Sequence, residues 1–275
     1  MNARSELLLG LRHGMPIDEY HSVQALGSSG LKNLARSPRH FHAMALDSQR
    51  PPQETTPSMV AGTLAHCAVL EPDEMQKRYV IRPPGTDLRA KIGKEWAASV
   101  PNGVTILTEA QHSTAWRQAR AIRALPEIEA LLNNGQAEVS AFWLDDETGA
   151  HCKCRPDFVS PAGDGVILTD VKTCQDASPA GFVKTVVNFN YAAQAAWYSD
   201  GYAIASGKPV LGFVFAAVEA DYPHAAAAYM LPEEWLGKAR VRNAELLRLY
   251  VDCIANNYWP AYAQDIQQLE APKWI

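Results

Sequence analysis

Residues 154–173, CRPDFVSPAGDGVILTDVKT, contain two strand-like apolar runs joined by a glycine-rich turn. Asp157 closes the first run, and Asp170 lies near the end of the second, 13 residues later. In a hairpin of this size the two carboxylates can come side by side at the edge of a sheet. Lys172 is two residues beyond Asp170, so we expect both side chains on the same face of the strand. The stretch therefore predicts a hairpin that groups two carboxylates and one ammonium group.

These side chains suit a divalent metal site that acts on phosphate. Carboxylate oxygens are hard ligands, and two of them with water and phosphate fit the octahedral coordination of Mg²⁺ or Mn²⁺. A lysine beside them can orient an attacking water or balance charge in the transition state. An exposed ion pair is the ordinary alternative for an Asp-x-Lys triplet. Here, however, Asp170 and Lys172 follow the apolar run VIL, where solvated charges are out of place.

The pattern of the chain around this hairpin predicts an α/β fold. Strand-like runs cover residues 138–144, 151–159, 166–171, 210–219 and 225–230. Helical patterns cover residues 58–70, 109–124, 126–132, 179–205 and 231–257, whereas residues 79–108 are expected to be irregular. We expect a mixed central sheet flanked by helices, preceded by a helical N-terminal region. We interpret residues 1–275 as one domain, with an N-terminal region at 1–57 and a core at 58–275.

Bulk composition excludes several classes of protein. Apolar residues make up 47% of the chain and charged residues 20%, which is globular rather than disordered composition. No apolar run approaches the ~20 residues of a membrane span, and the N-terminus lacks a signal-peptide cleavage site. We therefore expect a cytoplasmic protein with no membrane partner. Five cysteines without framework spacing argue against a secreted disulfide scaffold and indicate buried thiols.

The net charge of −5 hides an uneven distribution along the chain. Residues 1–125 carry 15 Lys and Arg against 11 Asp and Glu, whereas residues 126–275 carry 10 against 19. An acidic half beside a more basic half suits a metal site next to a phosphate-binding surface, although ordinary solvated faces would explain it equally well.

Several motifs resemble a known family. The P-D at 156–157 followed by L-T-D-V-K at 168–172 resembles the core of the PD-(D/E)XK nucleases. GTLAHCAVLEP, RPDFV, LTDVKT and YAAQAAWY, in this order, resemble the exonuclease VIII (RecE-type) branch found in phages and prophages, as does the N-terminal YHSVQALGSSGLKNLARSPRHF. The resemblance runs from about Tyr20 to the closing helix. It implies a PD-(D/E)XK, restriction-endonuclease-like core.

The resemblance also implies a set of metal ligands. Asp157 and Asp170 match the metal-binding carboxylates of the family, and the backbone carbonyl of Val171 would be a further ligand. His66, in G-T-x-x-H, matches a histidine that coordinates metal in this branch, although a lone histidine on an apolar helix is often a core residue. Glu138 stands where the superfamily often has an acidic residue, although it could equally be an exposed residue at a strand start.

Lys172 matches the catalytic lysine of the family, and a glutamine–tyrosine pair follows it. Gln194 and Tyr198 are four residues apart, so they share one face of a helix. In RecB-like nucleases such a Q-x-x-x-Y pair helps to position the active site and the DNA.

Four residues are candidates for DNA binding. Tyr191 lies on the same helix face as Gln194. Ser28, Ser29 and Lys32 are expected to touch phosphate, although two hydroxyls capping the helix that begins at GLKNLARSP would explain the serines as well.

The activity that the resemblance implies is a Mg²⁺-dependent exonuclease, with Mn²⁺ as a possible substitute. It would act on double-stranded DNA ends in the 5′→3′ direction and leave 3′ single-stranded tails for recombination. The resemblance further implies a RecT-type single-strand annealing protein as partner and a homo-oligomer, a toroidal tetramer.

Three other interpretations remain open at this point. The chain could be a different PD-(D/E)XK nuclease, specific for single strands or for a DNA structure. It could be a non-catalytic DNA-binding protein on the same fold, although the intact set of Asp157, Asp170 and Lys172 counts against decay. A zinc site built from His151, Cys152 and Cys154 is a more distant alternative.

Overall fold

The computed structural model describes residues 7–52 and 54–271. The helices are α1 (Ile17–Ser22), α2 (Ser28–Arg36), α3 (Pro38–Ala45), α4 (Pro57–Leu70), α5 (Met75–Arg78), α6 (Lys91–Ser99), α7 (Glu109–Arg123), α8 (Pro126–Leu132), α9 (Pro179–Phe189), α10 (Tyr191–Ser206) and α11 (Glu233–Asn256). The strands are β1 (Gly10–Arg12), β2 (Tyr79–Ile81), β3 (Thr105–Leu107), β4 (Gln136–Ala137), β5 (Ser140–Leu144), β6 (His151–Cys154), β7 (Phe158–Ala162), β8 (Gly165–Cys174), β9 (Val210–Glu219) and β10 (Ala226–Tyr229). None of the described helices is both long enough and apolar enough to cross a lipid bilayer.

The strands form a mixed central sheet and two smaller sheets. The central sheet has the order β10-β9-β8-β7-β4, in which β8 and β9 run parallel and the other neighbours run antiparallel. The order β1-β5-β6 forms an antiparallel three-stranded sheet, and β2 pairs with β3 in parallel. The mixed α/β architecture predicted from the sequence is confirmed.

Helices cover both faces of the central sheet, as the alternation along β9 shows. Phe215 packs in one hydrophobic core with residues of α10 and α11. Ala216 points the other way, into a second core with residues of α4 and α7. On β8, Leu168 belongs to the first core and Val171 to the second. Since side chains alternate along a strand, Asp170 lies on the face covered by α10.

The β7–β8 hairpin brings the two aspartates to the same end of the strand pair. Phe158 pairs with Thr169, and Asp157 and Asp170 are the residues next to this pair in the chain. Two details of the expectation were wrong. Asp157 precedes β7 instead of closing the strand before it, because Pro156 lacks an amide N–H and interrupts the run after β6. Asp170 lies in the middle of a ten-residue strand rather than near its end.

The secondary structure differs from the sequence-based expectation in three further places. Residues 79–108, which were expected to be irregular, contain α6 and the β2–β3 pair. Strands of three residues are too short to show an alternating pattern in the sequence. The helix expected at 179–205 is broken at Asn190, whose left-handed backbone (φ 58°) separates α9 from α10. Gly27 is the N-cap of α2, so Ser28 and Ser29 are its first residues and not its caps.

The N-terminal region is not purely helical and is tied to the rest of the protein. Its strand β1 pairs with β5, with Gly10 opposite Phe142. The Lys153 ammonium group on β6 donates hydrogen bonds to the carbonyl oxygens of Tyr20 and Val23, both at 2.8 Å. Pairing of this kind cannot be read from local sequence, because the partners are more than a hundred residues apart.

Candidate active site

His66, Glu138 and Asp157 converge at one end of the β7–β8 hairpin. The His66 Nε2 atom lies 2.5 Å from Asp157 Oδ2, and its Nδ1 atom lies 3.7 Å from Glu138 Oε1. In the part of the chain that the structure describes, they form the one group of three or more His, Cys, Asp or Glu residues whose potential ligand atoms all lie within 4.8 Å of one another. His66 comes from α4 and Glu138 from the β4–β5 connection, so the group is assembled from segments distant in the sequence.

Glu138 is held in place by its backbone and by a largely buried arginine. Its φ of 56° is in the left-handed region, which a residue with a side chain adopts at a cost. The Glu138 N–H donates to the Asp157 carbonyl oxygen at 2.9 Å. Arg155 Nε donates to Glu138 Oε2 at 2.5 Å, and the same guanidinium reaches the Met15 carbonyl and the Ser140 hydroxyl. Arg155 was not predicted from the sequence, although an arginine directly before the P-D motif was a visible signal.

Asp170 forms the second part of the site with Lys172 and Gln194. Asp170 is only 1% exposed, and its Oδ2 atom is in ionic contact with the Lys172 ammonium group. Gln194 Nε2, on α10, donates a hydrogen bond to Asp170 Oδ1 at 2.8 Å. The structure thus places Asp170 and Lys172 together, as their spacing predicted, and adds Gln194 as a direct neighbour.

Asp157 bridges the two parts through the backbone of β8. The Val171 N–H donates to Asp157 Oδ2 at 2.7 Å. In a strand the N–H and C=O of one residue point to the same edge. The Val171 carbonyl therefore points to the same edge of β8 as the N–H that binds Asp157, and its role as a ligand stays a prediction.

The four ionisable groups perturb one another strongly. Burial and the nearby charge of Asp157 raise the pKa of Asp170 to about 6, although Lys172 acts in the opposite direction. Burial would also raise the pKa of Asp157, but His66 and Lys172 lower it below the ordinary value. Burial alone would lower the pKa of His66, yet Asp157 and Glu138 raise it to about 10. The pKa of Lys172 is raised, since Asp170 and Asp157 outweigh its burial. Two buried carboxylates close together favour a site that takes up positive charge.

The side chains present fit a divalent cation. Asp170 Oδ2 is buried and accepts no well-aligned hydrogen bond from the described residues, so it retains ligand capacity beside its contact with Lys172. Asp157, Glu138 and His66 supply two carboxylates and an imidazole at the adjoining position. Carboxylate oxygens suit Mg²⁺ and Mn²⁺, whereas an imidazole ligand is less usual for Mg²⁺ than for transition metals. His66 would have to release its proton to bind a cation.

The predicted DNA-binding residues line one cavity beside this site. Ser28, Ser29 and Lys32 of α2 face Tyr191 of α10 across a cavity of about 190 Å³. Gln194 and Tyr198 also line it, which connects the cavity to Asp170. The Lys172 ammonium group lies 4.7 Å from the centre of the Tyr191 ring. These six predicted site residues therefore occur in one place, and their roles remain predictions.

The zinc alternative lacks supporting geometry. The His151 ring is engaged by the carbonyl oxygens of Leu8 and Gln24, at 2.8 Å and 3.3 Å. Cys152 and Cys154 are fully buried in the hydrophobic core, and burial raises the pKa of both thiols. Zinc binds thiolates, so protonated thiols in an apolar core are poor ligands.

The mixed sheet and its helical layers are those of a PD-(D/E)XK nuclease fold. Residues 27–272 match the family described as "PDDEXK-like domain of unknown function (DUF3799)", and the chain belongs to this family. These findings establish the PD-(D/E)XK superfamily and do not single out the RecE-type branch.

One solved structure agrees with this chain on the fold. The crystal structure of a "putative exonuclease" from Eubacterium rectale matches with a TM-score of 0.64 at 14% identity, covering 94% of this chain and 95% of that chain. A Vibrio cholerae protein matches with a TM-score of only 0.23 at 9% identity, covering 89% of this chain and 57% of that chain, which carries no argument. A search of curated proteins found no match.

Proposed function

We propose that this protein is a metal-dependent DNA nuclease with its active site at the β7–β8 hairpin. The observation that carries the proposal is the cluster of charged groups at the β7–β8 hairpin, with Lys172 against the Asp170 carboxylate and His66 against the Asp157 carboxylate. Ionisable groups that perturb one another in this way are common where chemistry takes place. The family and fold support the same conclusion.

The residues that would hold the metal are the carboxylates Asp157, Asp170 and Glu138, with His66 and the Val171 carbonyl. We propose Mg²⁺, with Mn²⁺ as a substitute. When bound, such a cation polarises the scissile phosphate and lowers the pKa of a bound water.

The residues around the carboxylates position them and supply a fixed positive charge. Gln194 orients Asp170 through a hydrogen bond, and Arg155 orients Glu138. Lys172 is 16% exposed in its side chain, so its ammonium group can meet a phosphate oxygen or an attacking water while it stays in contact with Asp170. The Tyr191 ring limits the directions that this ammonium group can take.

The finer parts of the proposal rest on the sequence resemblance. We propose an exonuclease that degrades one strand from a double-stranded DNA end, 5′→3′, and leaves a 3′ tail for a RecT-type annealing protein. We also propose a toroidal homo-oligomer, which would retain the DNA between cuts. The pairing of β1 with β5 supports a single nuclease domain that includes the N-terminal region.

Digestion of linear duplex DNA, labelled separately at its 5′ and 3′ ends, tests the function. We expect the 5′ label to be released first with Mg²⁺, and no release with EDTA, because the clustered carboxylates need a cation to act on phosphate. Blunt, nicked and single-stranded substrates run in parallel would identify a different specificity within the superfamily. If a folded, metal-loaded protein cuts none of these DNAs, the nuclease proposal is wrong.

The contact between Gln194 and Asp170 leads to a graded prediction. Gln194→Leu removes a hydrogen bond to a charged group, which contributes about 1.5–3 kcal/mol, so we expect a roughly tenfold to hundredfold lower single-turnover cleavage rate. Gln194→Glu should cost more, because it places a further carboxylate against Asp170.

A buried glutamine elsewhere in the protein provides the matched control for Gln194. Gln118 donates to the carbonyl oxygens of Glu219 and Ala220 and lies outside the site. Gln118→Leu should lower stability while the cleavage rate per folded molecule stays at the wild-type value. Equal rates for Gln194→Leu and Gln118→Leu would show that Gln194 does not position Asp170.

A further inference from the structure

An exposed aromatic ring stands at the cavity between α2 and the α9–α10 junction. Phe189, the last residue of α9, is 51% exposed and lines this cavity together with Lys32. Its position depends on Asn190, whose left-handed backbone ends α9 at Phe189 before α10 begins. A large apolar ring that is half exposed beside polar groups is a candidate contact surface for a flat ligand.

The Phe189 ring is the outer member of a stack that reaches the sheet. It stacks on Tyr191 with ring centres 5.6 Å apart and planes 21° apart. Tyr191 stacks in turn on the buried Phe215 of β9, at 5.7 Å and 23°. Because Tyr191 and Phe215 support it, the Phe189 side chain is already ordered and loses little conformational freedom when a ligand stacks on it.

The same stack connects Phe189 to the proposed catalytic lysine. Lys172 Nζ lies 4.7 Å from the Tyr191 ring centre, so Phe189 and the ammonium group contact the same ring. Gln194, which contacts Asp170, lines the same cavity. A ligand on Phe189 is therefore next to the reacting groups and not in a separate site.

The groups around Phe189 match the parts of a nucleotide. The Lys32 ammonium group lies over the Phe189 ring, 5.2 Å from its centre, and its flexible side chain would swing aside to meet a phosphate when a base covers that ring. The hydroxyls of Ser28 and Ser29 line the same wall and can donate hydrogen bonds. An aromatic face with a cation beside it binds a base by stacking and its phosphate by charge, without selecting the base.

We propose that this cavity holds one unpaired nucleotide of the strand being cut, with its base stacked on Phe189 and its phosphate near Lys32. This inference rests on the proposed nuclease function and specifies the form of its substrate. A base that stacks on Phe189 between α2 and α10 has left its neighbours in the duplex. The enzyme must then open the last base pairs of an end before cutting, or accept a strand that is already single.

Binding of labelled single-stranded oligonucleotides in EDTA tests the inference without cleavage. Phe189→Ala should weaken binding about tenfold, within the range for loss of one base–aromatic stack. Phe189→Trp should bind at least as well as the wild type, whereas Phe189→Leu should behave like the alanine variant. Val187→Ala is the matched control, since Val187 is an exposed apolar residue of α9 that does not line the cavity.

A set of oligonucleotides with one abasic position each provides the decisive comparison. At one position the missing base should weaken wild-type binding about tenfold and leave the affinity of Phe189→Ala unchanged, because the stacking partner is already absent. Equal affinities for Phe189→Ala and Val187→Ala would overturn the inference. So would an abasic position that weakens binding equally in the wild type and in Phe189→Ala. If the wild type still cuts DNA in Mg²⁺, only the nucleotide site is then wrong. If the wild type neither binds nor cuts, the proposed function fails as well.

Discussion

Asp170→Asn is expected to reduce DNA cleavage by about 10³-fold or more while the protein stays folded. The amide keeps the shape of the side chain but removes the charge that a cation and Lys172 share. Loss of one group that stabilises charge in a transition state typically costs about 10²–10³-fold, and Asp170 would act on both the metal and the lysine. No other single change that we consider removes so much of the site.

The measurement is single-turnover cleavage in Mg²⁺, normalised to the folded fraction. Asp164→Asn is the matched control, because Asp164 lies in the turn of the same hairpin and is exposed. The control should cut at the wild-type rate. The Asp170→Asn change also leaves Lys172 without its anionic partner, so a lower unfolding midpoint is expected too. DNA binding in EDTA distinguishes a folded, inactive variant from an unfolded one. A folded Asp170→Asn variant that cuts nearly as fast as the wild type would remove Asp170 from the proposed site.

Gly201→Ala is expected to lower the free energy of unfolding by about 3 kcal/mol. A Cβ atom at Gly201 would lie 2.2 Å from Cη2 of Trp143 and 2.5 Å from two more atoms of that ring, far inside normal contact distance. Trp143 is buried and packs on Trp197 with ring centres 5.1 Å apart, so the ring has no free space to enter. In an exposed helix the same substitution stabilises by about 1 kcal/mol, and here the clash outweighs that gain.

Urea denaturation measures this effect, and Gly237→Ala is its control. Gly237 lies in α11 and has nothing within 4 Å of an added Cβ, so its alanine variant should be more stable than the wild type by up to about 1 kcal/mol. A lower free energy of unfolding for Gly201→Ala and a higher one for Gly237→Ala would show that packing against Trp143 decides the effect. A Gly201→Ala variant as stable as the wild type would mean that α10 and β5 do not meet as described.

The β7–β8 hairpin could be predicted because its interactions are local. Asp157, Asp170 and Lys172 lie within 16 consecutive residues, so strand alternation and one turn suffice to bring them together. Pro156 is visible in the sequence, but the switch from one sheet to another at this residue is not. Pro156 ends β6 in one sheet and lets β7 begin in another, and this moved Asp157 to the start of a strand.

Other members of the site could not be obtained from local pattern. His66 entered through resemblance, because a single histidine on an apolar helix has no periodic signature of ligand function. Glu138 depends on a left-handed backbone position and on Arg155, and both follow from the way β5, β6 and the N-terminal region meet. Phe189 has no local signal in the sequence, since its exposure results from the break at Asn190 inside what the sequence predicts as one helix.

The amino-acid sequence by itself determined the α/β class, the β7–β8 hairpin and the chemistry of its carboxylates and lysine. These features depend on the periodicity of hydrophobic residues and on the short spacing between the charged residues, which are local properties of the chain. The tertiary structure alone decided which helix faces which carboxylate: α4 brings His66 to Asp157, and α10 brings Gln194 to Asp170. It also decided that Gly201 must lack a side chain, because Trp143 of β5 occupies that space. Contacts of this kind join residues far apart in the chain, and their geometry exists only once both cores have packed on the central sheet.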